Sequence, residues 1–548
     1  MRNTIYQTFA SGEINSLTAS PWGLAAGLFF VLPKTRTRRH LLIFLKGTLT
    51  AALGLALILK ANQEDKTMDP IWKVFKETCV KHGEQTAIID GHHRLTWREV
   101  KTYADRAGRF LSAHGVKPGV PVVLRMKKSW QAVCMMYGTV AAGGYYVFVD
   151  PDQPEKRLRS ILNTLQTGIL IQDSVDFESL PGYTAEAALN SRRYFCKRSE
   201  ADASDPLYAV FTSGSTGEPK GVLVSRGAVA QFMQHFIEMS GLAARDVIGN
   251  QAPFDFDVSV KDLYGACFTG ASVVLIPKVD FAMPKALMDC LTDNRVTVLI
   301  WAVSALCIVS TFKGFDYRTP KALRLVMFSG EVMPMKHLKI WQDHLPGAAF
   351  INLYGPSEIT CNALYYRVKG GEDRLPIGVP FDGRQVLLLD LAGNIITEDD
   401  VTGEICICGE SIGMGYIGRP DLTNKVFRTI YGMRSYCTGD LGYRENGQFF
   451  FVGRADDQIK LMGHRIELGE IEKAMGQIQA VERACVTYDP EKKRMTGWYT
   501  GEIESRQLRR ALKDSLPAYM IPTKLRRLET FPVNSHGKID RRKLKEAV

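Results

Sequence analysis

The chain has 548 residues, 45% hydrophobic and 23% charged, which excludes wholesale disorder and leaves room for two or three domains. The formal net charge is +11, with basic residues gathered between Lys34 and Arg39 and again between Arg506 and Lys545. No zinc-finger or aromatic-interleaved pattern accompanies them, which argues against nucleic acid and for an acidic protein partner.

Residues 1–67 form a hydrophobic and basic extension. Residues 41–59 are almost wholly apolar, close to the ~20 that cross a bilayer, and a shorter apolar stretch covers 22–32. One span would carry the rest of the chain out of the cytoplasm. Two would set the basic loop outside, against the positive-inside rule. Membrane contact through residues 22–59 and a mis-assigned start, with Met68 as the working start, both stand as expectations. The basic cluster follows the first apolar run, the reverse of a secretory signal.

From Met68 onward helical patterns alternate with short apolar strands: a helix over 129–142, strands over 145–149 and 271–276, a helix over 284–294 and a strand over 296–300. The alternation predicts an α/β fold of layered, mostly parallel sheets and helices. Residues 207–210 read as a strand running into Phe211-Thr212-Ser213-Gly214-Ser215-Thr216-Gly217-Glu218-Pro219-Lys220-Gly221. A second strand over 222–224 and a helix capped by Ser225 follow. Such a loop suits a polyphosphate. Glycines let backbone N–H groups approach the oxygens, hydroxyls donate further bonds, and the Lys220 ammonium neutralises charge. It is not a Walker A loop, because Pro219 precedes the lysine and Gly221 follows it. The plain alternative is a flexible surface loop.

Eleven cysteines, mostly inside apolar runs, read as reduced buried thiols of a cytoplasmic protein. Cys406 and Cys408 alternate along a strand, and packing is their expected role. A boundary falls at Gly453-Arg454-Ala455-Asp456, dividing a large core (68–455) from a small α+β C-terminal unit (456–548).

With these motifs in order, the chain from Met68 to its C-terminus resembles the adenylate-forming enzymes: acyl-CoA synthetases, luciferases and amino-acid adenylation domains. Within that family it is most similar to stand-alone amino-acid adenylation enzymes such as D-alanine–carrier protein ligase. The resemblance implies a large adenylate-forming core with a small mobile C-terminal domain, and ATP and Mg²⁺ as cofactors. Thr212, Ser213, Gly214, Ser215, Thr216, Gly217 and Lys220 would hold the β- and γ-phosphates. In Tyr354-Gly355-Pro356-Ser357-Glu358, where the family usually has threonine at Ser357, Asn352 and Tyr354 would contact adenine. Glu358 would bind Mg²⁺. In Tyr436-Cys437-Thr438-Gly439-Asp440, Asp440 would take the ribose hydroxyls, and Arg454 would reach the same region.

Lys538, in Gly537-Lys538-Ile539-Asp540-Arg541, would bridge the substrate carboxylate and the α-phosphate. Asp456 would be the hinge, withdrawing Lys538 and bringing Gly463-His464-Arg465-Ile466-Glu467 to the site. Backbone at Gly463 would then line the passage of a phosphopantetheine arm, and His464 is taken as a turn residue without catalytic role.

By the same resemblance, Asp257 in Phe256-Asp257-Val258 would clamp a substrate's α-ammonium, with Asp255 as rival. Burying that cation without a counter-charge costs several kcal/mol. Val258, Lys261, Met327, Ser329, Leu353, Cys361 and Asn362 would line the side-chain pocket, joined by residues around Ile300 and Trp301. Lys261 would either face the pocket and favour an acidic side chain or point into solvent. D-alanine ligases usually carry cysteine where Ser329 stands, so alanine, serine, aspartate and glutamate all remain open. The acyl acceptor would be a separate phosphopantetheinylated carrier protein. An acyl-CoA synthetase of a small carboxylic acid is the alternative, and a non-catalytic sensor the third.

Overall fold

The computed structural model describes residues 69–166, 168–173, 182–192, 201–214, 219–456, 458–532 and 539–546. The chain divides into two compact units, Met1–Lys66 and Thr67–Val548, and everything below concerns the second. The membrane expectation for residues 22–59 lies outside the described residues. Among the described residues no helix is long and apolar enough to cross a membrane.

Two large sheets frame the unit. The nine-stranded one has a parallel centre of Ala349–Tyr354, Leu325–Ser329, Val298–Ala302, Val247–Asn250, Ser272–Leu275 and Thr86–Asp90, with antiparallel strands at both ends. The seven-stranded one is parallel through Tyr145–Val149, Pro121–Arg125 and Ile169–Gln172, and ends in the antiparallel pair Pro206–Thr212 and Lys220–Ser225 with Gly415–Tyr416 beyond. This is the α/β layering expected from the alternating pattern.

Helix Trp130–Ala141 packs against strands of both sheets and is buried on nearly every face, so its sequence is apolar all round. Ser129 caps it, accepting from Ala132 N. Helix Val258–Thr269 is buried in the same way and stops at Gly270, whose φ of +81° suits glycine. Ser225 caps Arg226–Ser240 as expected, accepting from Ala228 N. The strand expected at 296–300 instead runs Val298–Ala302, because Thr297 is spent on bonds to Val247. Its end is thereby carried to the level of Ser329 in the next strand.

An antiparallel sheet of Arg384–Leu389, Gly403–Gly409, Met433–Glu445, Phe427–Ile430 and Gln448–Arg454 follows. Beyond Arg454 the hairpin strands Gln458–Leu461 and His464–Glu467 pair with each other. A separate three-stranded sheet is covered by Leu468–Gly476 and Ser505–Lys513. Ile466, Ile471, Met475, Leu508 and Leu512 form an apolar cluster of their own there. No disulfide joins any of the described cysteines.

Candidate functional site: a cleft closed by the C-terminal hairpin

A cleft of about 320 Å³ lies at the C-terminal ends of the parallel strands, where sequence alternation places loops rather than sheet. Its walls bring together Thr212, Ser213, Asp257, Val258, Ser329, Asn352, Leu353, Tyr354, Ser357, Cys361, Asn362, Asp440 and Arg454. These come from segments more than two hundred residues apart in the chain.

The loop after Pro206–Thr212 returns antiparallel, setting Thr212 opposite Lys220. Thr212 Oγ1 is buried in the cleft wall with no hydrogen-bond partner among the described residues, an arrangement that a phosphate oxygen would satisfy. Ser213 Oγ donates to Arg465 O (2.7 Å) and accepts from Glu467 N (3.1 Å). Gly214 N donates to Glu470 Oε2 at 3.1 Å, and Glu470 also pairs with Arg157 at 3.3 Å. Ser215, Thr216 and Gly217 lie outside the described residues.

Glu358 is fully buried. Tyr416 OH donates to its Oε1 at 2.6 Å, Arg465 Nη1 donates to both oxygens at 3.0 and 2.9 Å, and Lys220 Nζ stands 3.9 Å away. Burial alone would push this carboxyl up, but the Arg465 and Lys220 charges overturn that and hold it at about 2. Lys220 is lowered to about 8, first by burial and then by Arg465. The donor set fits a hard cation, since a buried carboxylate oxygen is the ligand type Mg²⁺ takes. In this arrangement, however, the guanidinium has both oxygens.

At the other end Tyr354 OH donates to Asp440 Oδ2 at 2.6 Å. Arg454 bridges Asp440 and Asp456, and Lys460 Nζ lies 3.6 Å from Asp440. Burial opposes ionisation of Asp440, but Lys460 and Arg454 keep its carboxyl below the usual range. Asn352 Nδ2 donates to Pro376 O at 2.8 Å.

In the third region Asp257 is 8% exposed and faces the cleft, with its carboxyl raised by burial and only partly relieved by Ser357 and Lys261. Thr360 and Cys361 both sit at positive φ (56° and 67°), a conformation costing about 1–3 kcal/mol for each such residue. The kink is held by Thr360 Oγ1 to Ser411 O and Cys361 Sγ to Asp257 O, and it turns Asn362 toward the cleft.

Lys261 matches neither of its expected placements. It is fully buried and is not a wall residue, because its helix is enclosed on all sides; Nζ donates to Asn362 Oδ1 at 2.6 Å. Met327 is buried in the core cluster rather than at the wall: it shares a strand face with the wall residue Ser329 but lies two residues further from the strand's C-terminal end. Ile300 and Trp301 are buried too, with Trp301 Nε1 donating to Gly249 O.

The hairpin closes the cleft. Gly463 N donates to Glu331 Oε1 at 2.8 Å, and a Cβ at Gly463 would come within 3.2 Å of Ala302 Cβ, at a φ of +81°. Glycine alone suits that approach. His464 is no surface turn residue: it stacks on Tyr519 (3.6 Å between ring centroids) and meets Phe256 edge-on. Burial, then Lys278 and Arg157, lower it to about 4. Lys538 lies outside the described residues. Arg465, Glu470, Tyr416 and Lys460 were missed from sequence. Arg465 stood inside a quoted motif, but only its contact with Glu358 shows its use.

The chain matches the model of the AMP-binding enzyme family over residues 75–417. It is 31% identical to zwittermicin A synthase ZmaJ of Bacillus cereus over 502 residues, covering 86% of this chain and 94% of that one. It is 32% identical to bacitracin synthase 1 of Bacillus licheniformis over 87% of this chain, but spans only 9% of that protein's length. The fold is similar to holo-PA1221, a nonribosomal peptide synthetase protein containing adenylation and carrier (PCP) domains bound to a vinylsulfonamide inhibitor. The TM-score is 0.78 and the identity 23%, over 87% of this chain and 84% of the other.

Proposed function

The chain belongs to the AMP-binding enzyme family, and on that premise we propose that it activates an amino acid with ATP and passes the acyl group to the phosphopantetheine thiol of a separate carrier protein. The substrate carboxylate attacks the α-phosphorus, the bond to the β-phosphate breaks, and pyrophosphate leaves. The carrier thiol then attacks the acyl carbonyl carbon and AMP departs. The first step joins two anions, so there the protein mainly supplies positive charge and alignment, and in the second the thiol gives up its proton as the thioester forms.

Thr212, Ser213, Gly214 and Lys220, with Ser215, Thr216 and Gly217, would hold the polyphosphate. Asn352 and Tyr354 would hold adenine, and Asp440 with Arg454 the ribose. Mg²⁺ on Glu358 would neutralise phosphate charge once Arg465 withdraws. Lys538 would serve the first step and the Gly463 passage the second, with Asp456 as hinge between a core of 68–455 and a unit of 456–548.

Asp257 carries the amino-acid assignment. It is a carboxylate in the cleft wall raised by burial, and a substrate ammonium would relieve it. Lys261 occupies Asn362 Oδ1, which leaves the Asn362 amide N–H groups for the substrate. A short side chain bearing an acceptor, as in serine, aspartate or glutamate, suits that wall better than D-alanine. ATP–pyrophosphate exchange across the amino acids tests the proposal. Exchange with one amino acid supports it. Exchange only with fatty or aryl acids would make the chain an acyl-CoA synthetase, and none from folded protein would make it a sensor.

A further inference from the structure

Cys406 and Cys437 face each other across the antiparallel strands Gly403–Gly409 and Met433–Glu445. Directly opposed residues in such a pair have Cα atoms about 4.5–5.5 Å apart, inside the roughly 4.4–6.8 Å that a disulfide spans. The side chains agree with the backbone, since the Cys406 thiol donates to Cys437 Sγ across 2.9 Å. Cys408 is no rival partner. It faces Ser435, and a diagonal neighbour of that kind stands about 7–8 Å from Cys437. A metal ion fits less well, even with Glu404 beside the pair. Zinc–sulfur bonds of about 2.3 Å would hold the two sulfurs roughly 3.8 Å apart.

Cys437 is the more reactive member. The hydrogen bond from Cys406 holds its thiol below the ordinary range, with Arg428 adding to it against burial and Glu404. Burial instead pushes the thiols of Cys79, Cys134 and Cys361 up. Both sulfur-bearing residues are buried, but under a small satellite cluster of Leu387, Leu389, Ile395 and Ile430 that stands apart from the main core. A covering that small opens more readily than the core and admits a small oxidant.

We propose that Cys406 and Cys437 form a reversible disulfide site, oxidised by a peroxide, whose closure weakens nucleotide binding at Asp440. The nucleotide part rests on the proposed ATP-dependent activation. The Cys437 thiolate attacks one peroxide oxygen and the O–O bond breaks, giving a sulfenic acid. The departing hydroxide takes up the proton that Cys437 released and leaves as water. The Cys406 sulfur then attacks the Cys437 sulfur, the S–O bond breaks, and hydroxide leaves with the Cys406 proton as a second water. The two sulfurs lose two electrons and the peroxide gains them. A dithiol reductant reverses the bridge by exchange. Transient disulfides of this kind are the sort a reducing compartment allows.

The route from the sulfurs to Asp440 is short. Asp440 N donates to Thr438 Oγ1 at 3.0 Å, and that hydroxyl donates to Ile405 O, next to Cys406, at 2.8 Å. Gly439 N donates to Glu404 Oε1 at 2.9 Å, and Arg454 Nη1 to Thr438 O at 3.2 Å. The reduced arrangement is thus the one that presents Asp440 to the cleft. Bonding the sulfurs draws the strands together at the foot of this turn, and a ligand site tolerates shifts of only about 0.5 Å.

The test takes the full chain, reduced and then treated with hydrogen peroxide, and reads intact mass, peptide maps without reductant, and Mg–ATP affinity. A bridge joining Cys406 to Cys437, with the loss of two hydrogens, is expected. ATP affinity should fall on the order of tenfold and return with dithiothreitol. Cys408→Ala should respond as wild type does. Cys406→Ala should bind ATP as the reduced chain does and ignore peroxide, and Cys437→Ala serves if that variant does not fold. Thiols that stay free, bridge to other cysteines or pass to sulfinic acid would overturn the site. A bridge that leaves ATP affinity unchanged, or an equal loss of affinity in Cys406→Ala, would overturn the coupling. Because mass alone reads the bridge, a chain that forms it but binds no ATP when reduced loses the proposed activity and the coupling, and keeps the site.

Discussion

Arg465 Nη1 reaches both carboxylate oxygens of Glu358 across 107 residues of chain, at 3.0 and 2.9 Å. The pair joins the C-terminal hairpin to the core at a carboxylate held at about 2. Removing one partner of a buried ion pair costs about 3–5 kcal/mol, and Arg465 is 17% exposed, so the lower end applies here. Arg465→Ala should therefore depopulate the docked arrangement. Carrier loading should fall by two orders of magnitude or more, on the order of what about 3 kcal/mol implies, while amino-acid-dependent pyrophosphate exchange falls far less. Measuring both half-reactions on one preparation checks this. Equal losses in the two would assign Arg465 to general stability.

Much of this arrangement was legible in the chain because it is local. Alternating apolar runs, Ser129 and Ser225 as caps, and the glycine-rich turn between two strands are all short-range signals. The pairings were not legible. Gly214 meets Glu470 across 256 residues and Tyr416 meets Glu358 across 58, and such long-range pairings are a tertiary matter. Lys261 failed for a different reason. Helix Val258–Thr269 offers no solvent face, and the cleft is reached only through Asn362.

Asp257→Asn should lower kcat/KM for the preferred amino acid by roughly two orders of magnitude, as expected when a buried cation loses its counter-charge. The loss should appear mainly against substrates that carry an α-ammonium. The corresponding acid without its amino group should be activated about as well by the variant as by wild type. An equal fall with both acids would point to misfolding of the wall, and a fall with neither would give the clamp to Asp255.

Acid should release the docked hairpin. His464 drops from 6.5 to about 4, with burial the largest cause and Lys278 and Arg157 adding to it. The docked state thus binds fewer protons than the released one. Support for docking is complete above about pH 6.5 and is lost as pH falls toward 4, on the order of 1–2 kcal/mol by pH 5. Asp255, raised to about 6 by burial and by Asp150, has the opposite slope, its charge costing least below 3.8. It is common to wild type and His464→Phe, so the difference between their carrier-loading profiles isolates the histidine. The variant should keep loading activity at pH 5.5 relative to pH 7.5 better than wild type does. Superimposable profiles would remove His464 from the docking equilibrium.

The buried cation behind Asn362 should govern both stability and substrate choice. Lys261 Nζ bonds Asn362 Oδ1 and interacts electrostatically with Cys361 and Asp257 of the cleft wall and with the buried Asp262 behind it. Burial raises Asp262 to about 7, with Asn250 and Lys261 opposing. Lys261→Met removes the cation and leaves those carboxyls without it, so urea unfolding should show a loss of about 3 kcal/mol. Replacing Asp262 by Asn in the same chain should recover part of that loss. The Asn362 amide, released from its fixed orientation, should no longer discriminate, and exchange should broaden from acceptor-bearing amino acids toward apolar ones of similar size. Asn362→Leu should shift preference the same way, at a cost in stability of its own, because it removes the acceptor that holds the buried Lys261 ammonium. If both variants keep the wild-type order of substrates, the wall at Asn362 does not select the side chain.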